Sequence, residues 1–186
     1  MLLALVGVTG VGKTYYKDII VNELGFKKVN TIRTRKIRQG EKEGIVGLFR
    51  TKEELDELEK QDKLAYRFSV FGGEYAYLKD EIFSKENYVF EMHYTTIYDW
   101  KKVRPDIKTI YILPKNIEMA KDQTKKRELT PEKEQERLKE IDEHYNRFIN
   151  DKELQKQFDY IVYNNYDDDS KEEIISLVKK LVEEEK

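Results

Sequence analysis

The 186-residue chain is long enough for one domain with a sizeable core, and its net charge of -2, from 35 basic and 37 acidic residues, argues against a dedicated nucleic-acid binder. With no cysteine, disulfides, thiolate catalysis and cysteine-ligated zinc are excluded, and His93 and His144 are too few for a histidine-rich metal site. No run reaches membrane-spanning length and the short apolar N-terminus lacks a basic leader, so a cytoplasmic protein without a membrane partner is expected.

The first expected element is a buried strand, the apolar run Leu2 to Val6. It runs into Gly7-Val8-Thr9-Gly10-Val11-Gly12-Lys13-Thr14, a loop of the form G-x-x-x-x-G-K-T. A helix follows from Lys13, with Tyr16, Ile20 and Leu24 at helical spacing and Gly25 as its stop. In that context glycines let successive N–H groups converge on phosphate oxygens at a helix N-terminus. Lys13 supplies a charge to the distal phosphates, and Thr14 a hydroxyl for Mg²⁺. The motif implies a nucleotide-phosphate site.

Phe26 to Asn30 is expected to form a second strand. From Lys27 the chain carries six basic residues before its next acid, among them Arg33, Arg35 and Arg38. Arginine forks suit bidentate capture of a phosphate, so a second phosphate-binding site is expected here. Thr51-Lys52-Glu53-Glu54 has the form of a capping box and opens a short amphipathic helix. Strict alternation over Leu64 to Val70 puts Leu64, Tyr66, Phe68 and Val70 on one face, and the return from Glu74 to Leu78 after Gly72-Gly73 predicts a β-hairpin.

Tyr88 to Met92 reads as a core strand leading to His93, and a helix follows over about Thr95 to Val103. Ile107 to Leu113 is a further strand, stopped by Pro114, and Ile117 to Lys126 is helical. Thr130-Pro131 caps a helix with Leu138, Ile141, Tyr145 and Phe148 on one face. Asp159 to Tyr163 is the last strand, and Ser170 with Glu173 is expected to cap the C-terminal helix. Strands alternating with helices imply an α/β fold, a parallel sheet with helices on both faces. Its ligands gather at the carboxyl ends of the strands, where the glycine loop, Glu91 and His93 belong.

With these motifs the chain resembles the guanylate kinase family of P-loop nucleoside monophosphate kinases over nearly its whole length. Thr34-Arg35-Lys36-Ile37-Arg38-Gln39-Gly40-Glu41-Lys42-Glu43-Gly44 is similar to the family's T-R-x-P-R-x-G-E-x-x-G. The resemblance implies that Arg35 and Arg38 hold the acceptor's phosphate, with Thr31 near the base and Tyr75, in Gly73-Glu74-Tyr75-Ala76-Tyr77, on the phosphate. Arg127 and Arg137 resemble lid arginines that close over the transferring group. Asn164, in a segment similar to D-Y-x-[IV]-x-N, would line the adenine pocket. The implied donor is ATP with Mg²⁺, bound through Gly7, Thr9, Gly10, Val11, Gly12, Lys13 and Thr14. The implied partition is a core of residues 1–30 and 79–186, with a lid at about 120–137, and an acceptor-binding insert of residues 31–78.

Several positions depart from the family pattern. D-Y-x-F is here Val46-Gly47-Leu48-Phe49, so a phosphate-binding tyrosine becomes Gly47. Tyr66 stands where a guanine-pairing glutamate is expected, and D-x-D becomes Glu91-Met92-His93. Losing the partner of a buried donor costs about 1–3 kcal/mol, so altered base reading is expected at Tyr66 and His93, while the first carboxylate of the pair survives as Glu91. Phosphoryl transfer to a nucleoside monophosphate, GMP or dGMP first, is the leading expectation. A kinase of another phosphorylated small molecule, such as ribose 1,5-bisphosphate, and a protein-binding scaffold on the same fold are the alternatives.

Overall fold

The computed structural model describes residues 1–37, 41–70, 72–127 and 129–185. In chain order its strands are β1 (Leu2–Val6), β2 (Lys27–Lys28), β3 (Ile32–Arg33), β4 (Leu48–Phe49), β5 (Leu64–Val70), β6 (Gly73–Leu78), β7 (Tyr88–Glu91), β8 (Lys108–Pro114) and β9 (Tyr160–Asn164). The helices are α1 (Lys13–Leu24), α2 (Lys52–Lys60), α3 (Lys79–Ile82), α4 (Ile97–Val103), α5 (Ile117–Lys125), α6 (Pro131–Asn150), α7 (Lys152–Gln155) and α8 (Asp168–Glu184).

Five strands form a parallel sheet in the order β2-β7-β1-β8-β9. β1 is central and every residue of it is buried, which is why Leu-Leu-Ala-Leu-Val is apolar throughout instead of alternating. The period of two still divides it between two cores. Leu3 and Leu5 pack with Tyr16 and Ile20 of α1 and with Ile174, Val178 and Leu181 of α8. Leu2, Ala4 and Val6 face Phe90, Trp100, Tyr111 and Phe148 on the other side. Each large side chain so buried contributes about 1.5–3 kcal/mol, enough to fix which face the helices cover. No helix of the described residues is long and apolar enough to cross a membrane.

A second, four-stranded sheet has the order β4-β3-β6-β5, antiparallel except between β3 and β4. One face carries Ile32 and Ala76 against Leu55 of α2, whose start has the expected capping box at Thr51 and Glu54. The opposite face is aromatic and docks on the parallel core. Tyr77 meets Phe90 and Trp100 edge-on with ring centroids 5.4 and 4.9 Å apart, and Tyr66 meets Trp100 at 5.2 Å.

Three local expectations need correction. A register shift between Leu64 and Tyr66 interrupts the alternation. Leu64 therefore joins the α2 side, while Ala65, Tyr66 and Phe68 share the aromatic side. The C-terminal helix is capped by Asp167, not by Ser170. The Asp167 carboxylate accepts from the Ser170 N–H at 2.9 Å and from its hydroxyl at 2.6 Å, an anion where a helix N-terminus favours one. Pro114 is the last residue of β8 and pairs with Asn164 before the strand ends.

Candidate active site

The glycine loop leaves the carboxyl end of β1 and hands over to α1 at Gly12, so the loop's N–H groups and the helix N-terminus face one cleft. Gly7, the first glycine of the motif, shows why glycine is needed there: it lies at φ +147°, and a Cβ would come within 2.3 Å of the Ile112 carbonyl oxygen. Lys13 folds back over the loop and donates to the carbonyls of Gly7 at 2.7 Å and Val8 at 2.8 Å. Burial, opposed by Glu91 and reinforced by Arg127, pulls its ammonium from the usual 10.5 down to about 8.

The Thr14 hydroxyl donates to Glu91 Oε1 at 2.9 Å, and Lys17 Nζ approaches the same oxygen at 2.5 Å. Burial works against the Glu91 carboxylate, but Lys17 and Lys13 outweigh it and hold its pKa below the usual carboxylate range. A hydroxyl beside an ionised carboxylate is a hard oxygen pair of the kind Mg²⁺ takes alongside phosphate oxygens and water. Among the described residues no cluster of three or more His, Cys, Asp or Glu stands ready for a metal, so an ion at Thr14 and Glu91 would take its other ligands from water or a bound molecule. Lys17 is a residue the sequence reading missed. Its signal was its place three residues after Thr14, on the same face of α1.

The cleft holds about 940 Å³ and is bordered by Lys13, Glu91, His93, Arg127, Arg137 and Asn164 among others. Arg137 pairs with Glu140 at 2.5 Å along α6. His93 meets the Thr95 hydroxyl through Nδ1 at 2.6 Å, and burial lowers its pKa. Behind it, His144 is buried against Tyr111 and Tyr94, and burial followed by Lys13 drives its pKa down to about 2, so it is neutral. Asn164, at the end of β9, donates to the Val11 carbonyl at 3.0 Å and accepts from the Tyr16 hydroxyl at 2.9 Å and the Tyr166 N–H at 2.8 Å. The Tyr166 hydroxyl in turn donates to the Gly10 carbonyl at 3.2 Å.

Of the remaining sequence-derived candidates, Thr31, Arg35, Tyr66 and Tyr75 lie on or beside the small sheet, outside the lining of that cleft. Arg35 holds Glu41 with both fork nitrogens, at 2.7 and 2.6 Å, and the Tyr75 hydroxyl lies against it. Arg35 borders a shallower hollow of about 650 Å³ with Phe49 and Arg50. Thr31 partners the Tyr77 hydroxyl. Tyr66 sits in the aromatic cluster, stacked on Phe68 with its hydroxyl on Asp99 at 3.2 Å. Arg38 lies outside the described residues.

The guanylate kinase family profile matches residues 1–185. A guanylate kinase of Hahella chejuensis (strain KCTC 2396) is 27% identical over 182 residues, covering 92% of this chain and 82% of that protein. Among solved structures, the guanylate kinase from Anaplasma phagocytophilum superposes with a TM-score of 0.69 at 17% identity, covering 97% of this chain and 85% of that one. A shikimate kinase from Bacteroides thetaiotaomicron shares the fold more distantly, with a TM-score of 0.52 at 13% identity and 98% of each chain covered. A complete glycine-lysine-threonine loop at the end of a central parallel strand, within a profile match over the whole chain, makes this a nucleotide kinase that belongs to the guanylate kinase family.

Proposed function

We propose that this protein transfers a phosphoryl group from ATP, in the presence of Mg²⁺, to a nucleoside monophosphate, with GMP or dGMP ranked first. The observation that carries the reading is the convergence of Lys13, Thr14, Glu91, Arg127 and Arg137 on one cleft at the carboxyl ends of the parallel strands. Loop N–H groups and Lys13 would hold the donor's phosphates, and Arg127 and Arg137 would meet the charge that develops during transfer. Thr14 and Glu91 would hold Mg²⁺, which when bound neutralises phosphate oxygens. The acceptor's own phosphate is already an anionic nucleophile, so positioning and charge neutralisation are the chemistry required, without a strong base. In this reading residues 31–78 carry the acceptor through Thr31, Arg35, Arg38 and Tyr75, and the segment at about 120–137 closes as a lid. Free nucleotides are cytoplasmic substrates, and the protein would act there.

Base choice is where the reading departs from a dedicated guanine site. Glu91 is committed to Thr14 and Lys17, and the Tyr66 hydroxyl to Asp99. A tyrosine so placed cannot match guanine's paired donors as a carboxylate does. That favours, as the second reading, an acceptor recognised mainly through its phosphate, a phosphorylated sugar included. An assay coupled to ADP release, run with Mg²⁺ over GMP, dGMP, AMP, UMP, dTMP and phosphorylated sugars, tests both. Turnover with GMP at less than about ten-thousandfold preference over other bases is expected, since a dedicated hydrogen-bonding site reaches roughly that level. No turnover with any acceptor overturns the kinase reading.

A further inference from the structure

Arg33 has no role in the site described so far. It is the last residue of β3, on the face opposite the buried Ile32, and lies within electrostatic reach of Arg35 just beyond the strand. Tyr75 is its register partner across the β3–β6 ladder. Its guanidinium is part-buried and donates to the Val46 carbonyl, and among the described residues it forms no salt bridge. Burial first, and Arg35 second, weigh against its charge. An arginine stays charged nonetheless, so a cation is held in a partly desolvated place beside another cation. Such a cation is stabilised by an incoming anion.

Position 47 gives the second observation. Gly47 lies at φ +147°, and a Cβ built there would come within 2.1 Å of Arg33 Nη1 and 2.5 Å of the Thr31 carbonyl oxygen. The Arg33 guanidinium thus fills the space that any side chain at 47 would need. Nearby, the Glu41 carboxylate gives both oxygens to the Arg35 fork and lies within electrostatic reach of Arg33. That carboxylate marks where an anion sits among these groups.

We propose that Arg33 is a specificity-determining residue, a second fork that binds the acceptor's phosphomonoester beside Arg35 and Tyr75, and that Gly47 gives it room. The inference rests on the kinase reading above. A carboxylate offers two oxygens and one charge; a phosphomonoester offers three terminal oxygens and up to two charges, and so can serve two forks at once. Acceptor affinity then depends chiefly on the phosphate, in keeping with the Tyr66 hydroxyl being engaged by Asp99.

Arg33→Gln is the test, because it removes the charge while keeping a polar side chain with an amide donor at that position. The KM for the best acceptor should rise by roughly tenfold or more with little change in kcat, the signature of lost binding shared by ground and transition states. Affinity for a fluorescent ATP analogue should not change, and the acceptor KM should lose part of its salt dependence. An acceptor KM within about twofold of wild type, or an equal rise for donor and acceptor, overturns the inference while leaving the kinase reading intact. A wild-type protein that phosphorylates nothing overturns both. A measurement on the wild-type chain covers the case of a variant that does not fold. The Arg33 Nε–Hε resonance should shift when the nucleoside monophosphate is added and stay in place with the nucleoside, and no difference between the two overturns the inference.

Discussion

Lys13 is a half-buried cation on the wall of the cleft, and its protonation should be coupled to ligand binding. In the empty site it titrates near 8, so close to that pH about half of the molecules carry the charge. Nucleotide phosphates favour the charged form and push the pKa back up. Binding at pH 8 should therefore take up roughly half a proton, and less as the pH falls, where the lysine is already charged. Calorimetry in two buffers of different ionisation enthalpy reads this directly. Zero uptake in wild type, or equal uptake in Lys13→Ala, would rule the coupling out. That variant should also slow transfer by about a hundredfold, some 3 kcal/mol of transition-state stabilisation.

At the level of elements, the sequence was most readable where signals are local. The β1–loop–α1 unit, the Thr51 capping box, the β5–β6 hairpin and the Thr130-Pro131 start of α6 are each written within a few consecutive residues. What escaped depends on partners far along the chain. Periodicity cannot show the bulge that turns Leu64 away from Tyr66, because it arises in pairing with β6. Nor can it show that Lys17 and Thr14 converge on Glu91, or that Arg33 fills the space over Gly47. The sequence resemblance implies an adenine contact for Asn164; what the structure shows is its amide tying the end of β9 to the loop and to α1. Asn164→Ala would leave the Val11 carbonyl, the Tyr16 hydroxyl and the Tyr166 N–H without that partner. At about 1–3 kcal/mol for each buried group left unsatisfied, a clear drop in Tm together with weaker ATP binding is expected. An unchanged Tm would show that water replaces the amide at no cost.

For the molecule as a whole, the two proposed phosphate sites are separate in this conformation. Lys13 borders one cleft and Arg35 another hollow, yet in-line transfer needs their ligands in contact. The small sheet and the segment around Arg127 should therefore move together when both ligands bind, excluding water from the transferring group. Hydrogen exchange with and without a bisubstrate analogue would show added protection in residues 31–78 and 120–137. Equal protection in the two states would mean that the chemistry is assembled without closure.

The strand order has a further consequence, for the chain as it is made. β1 leaves the ribosome before the other strands, but its two neighbours in the sheet are Tyr88–Glu91 and Lys108–Pro114. Until both have emerged, five consecutive apolar residues have no ladder to join, and closing loops of that length is entropically slow. The four-stranded sheet draws all its strands from between Ile32 and Leu78 and can pair while the C-terminal half is still being synthesised. The nascent protein would thus build its small sheet first and carry its glycine loop unfolded, open to chaperones and proteases, until β8 arrives to fix it.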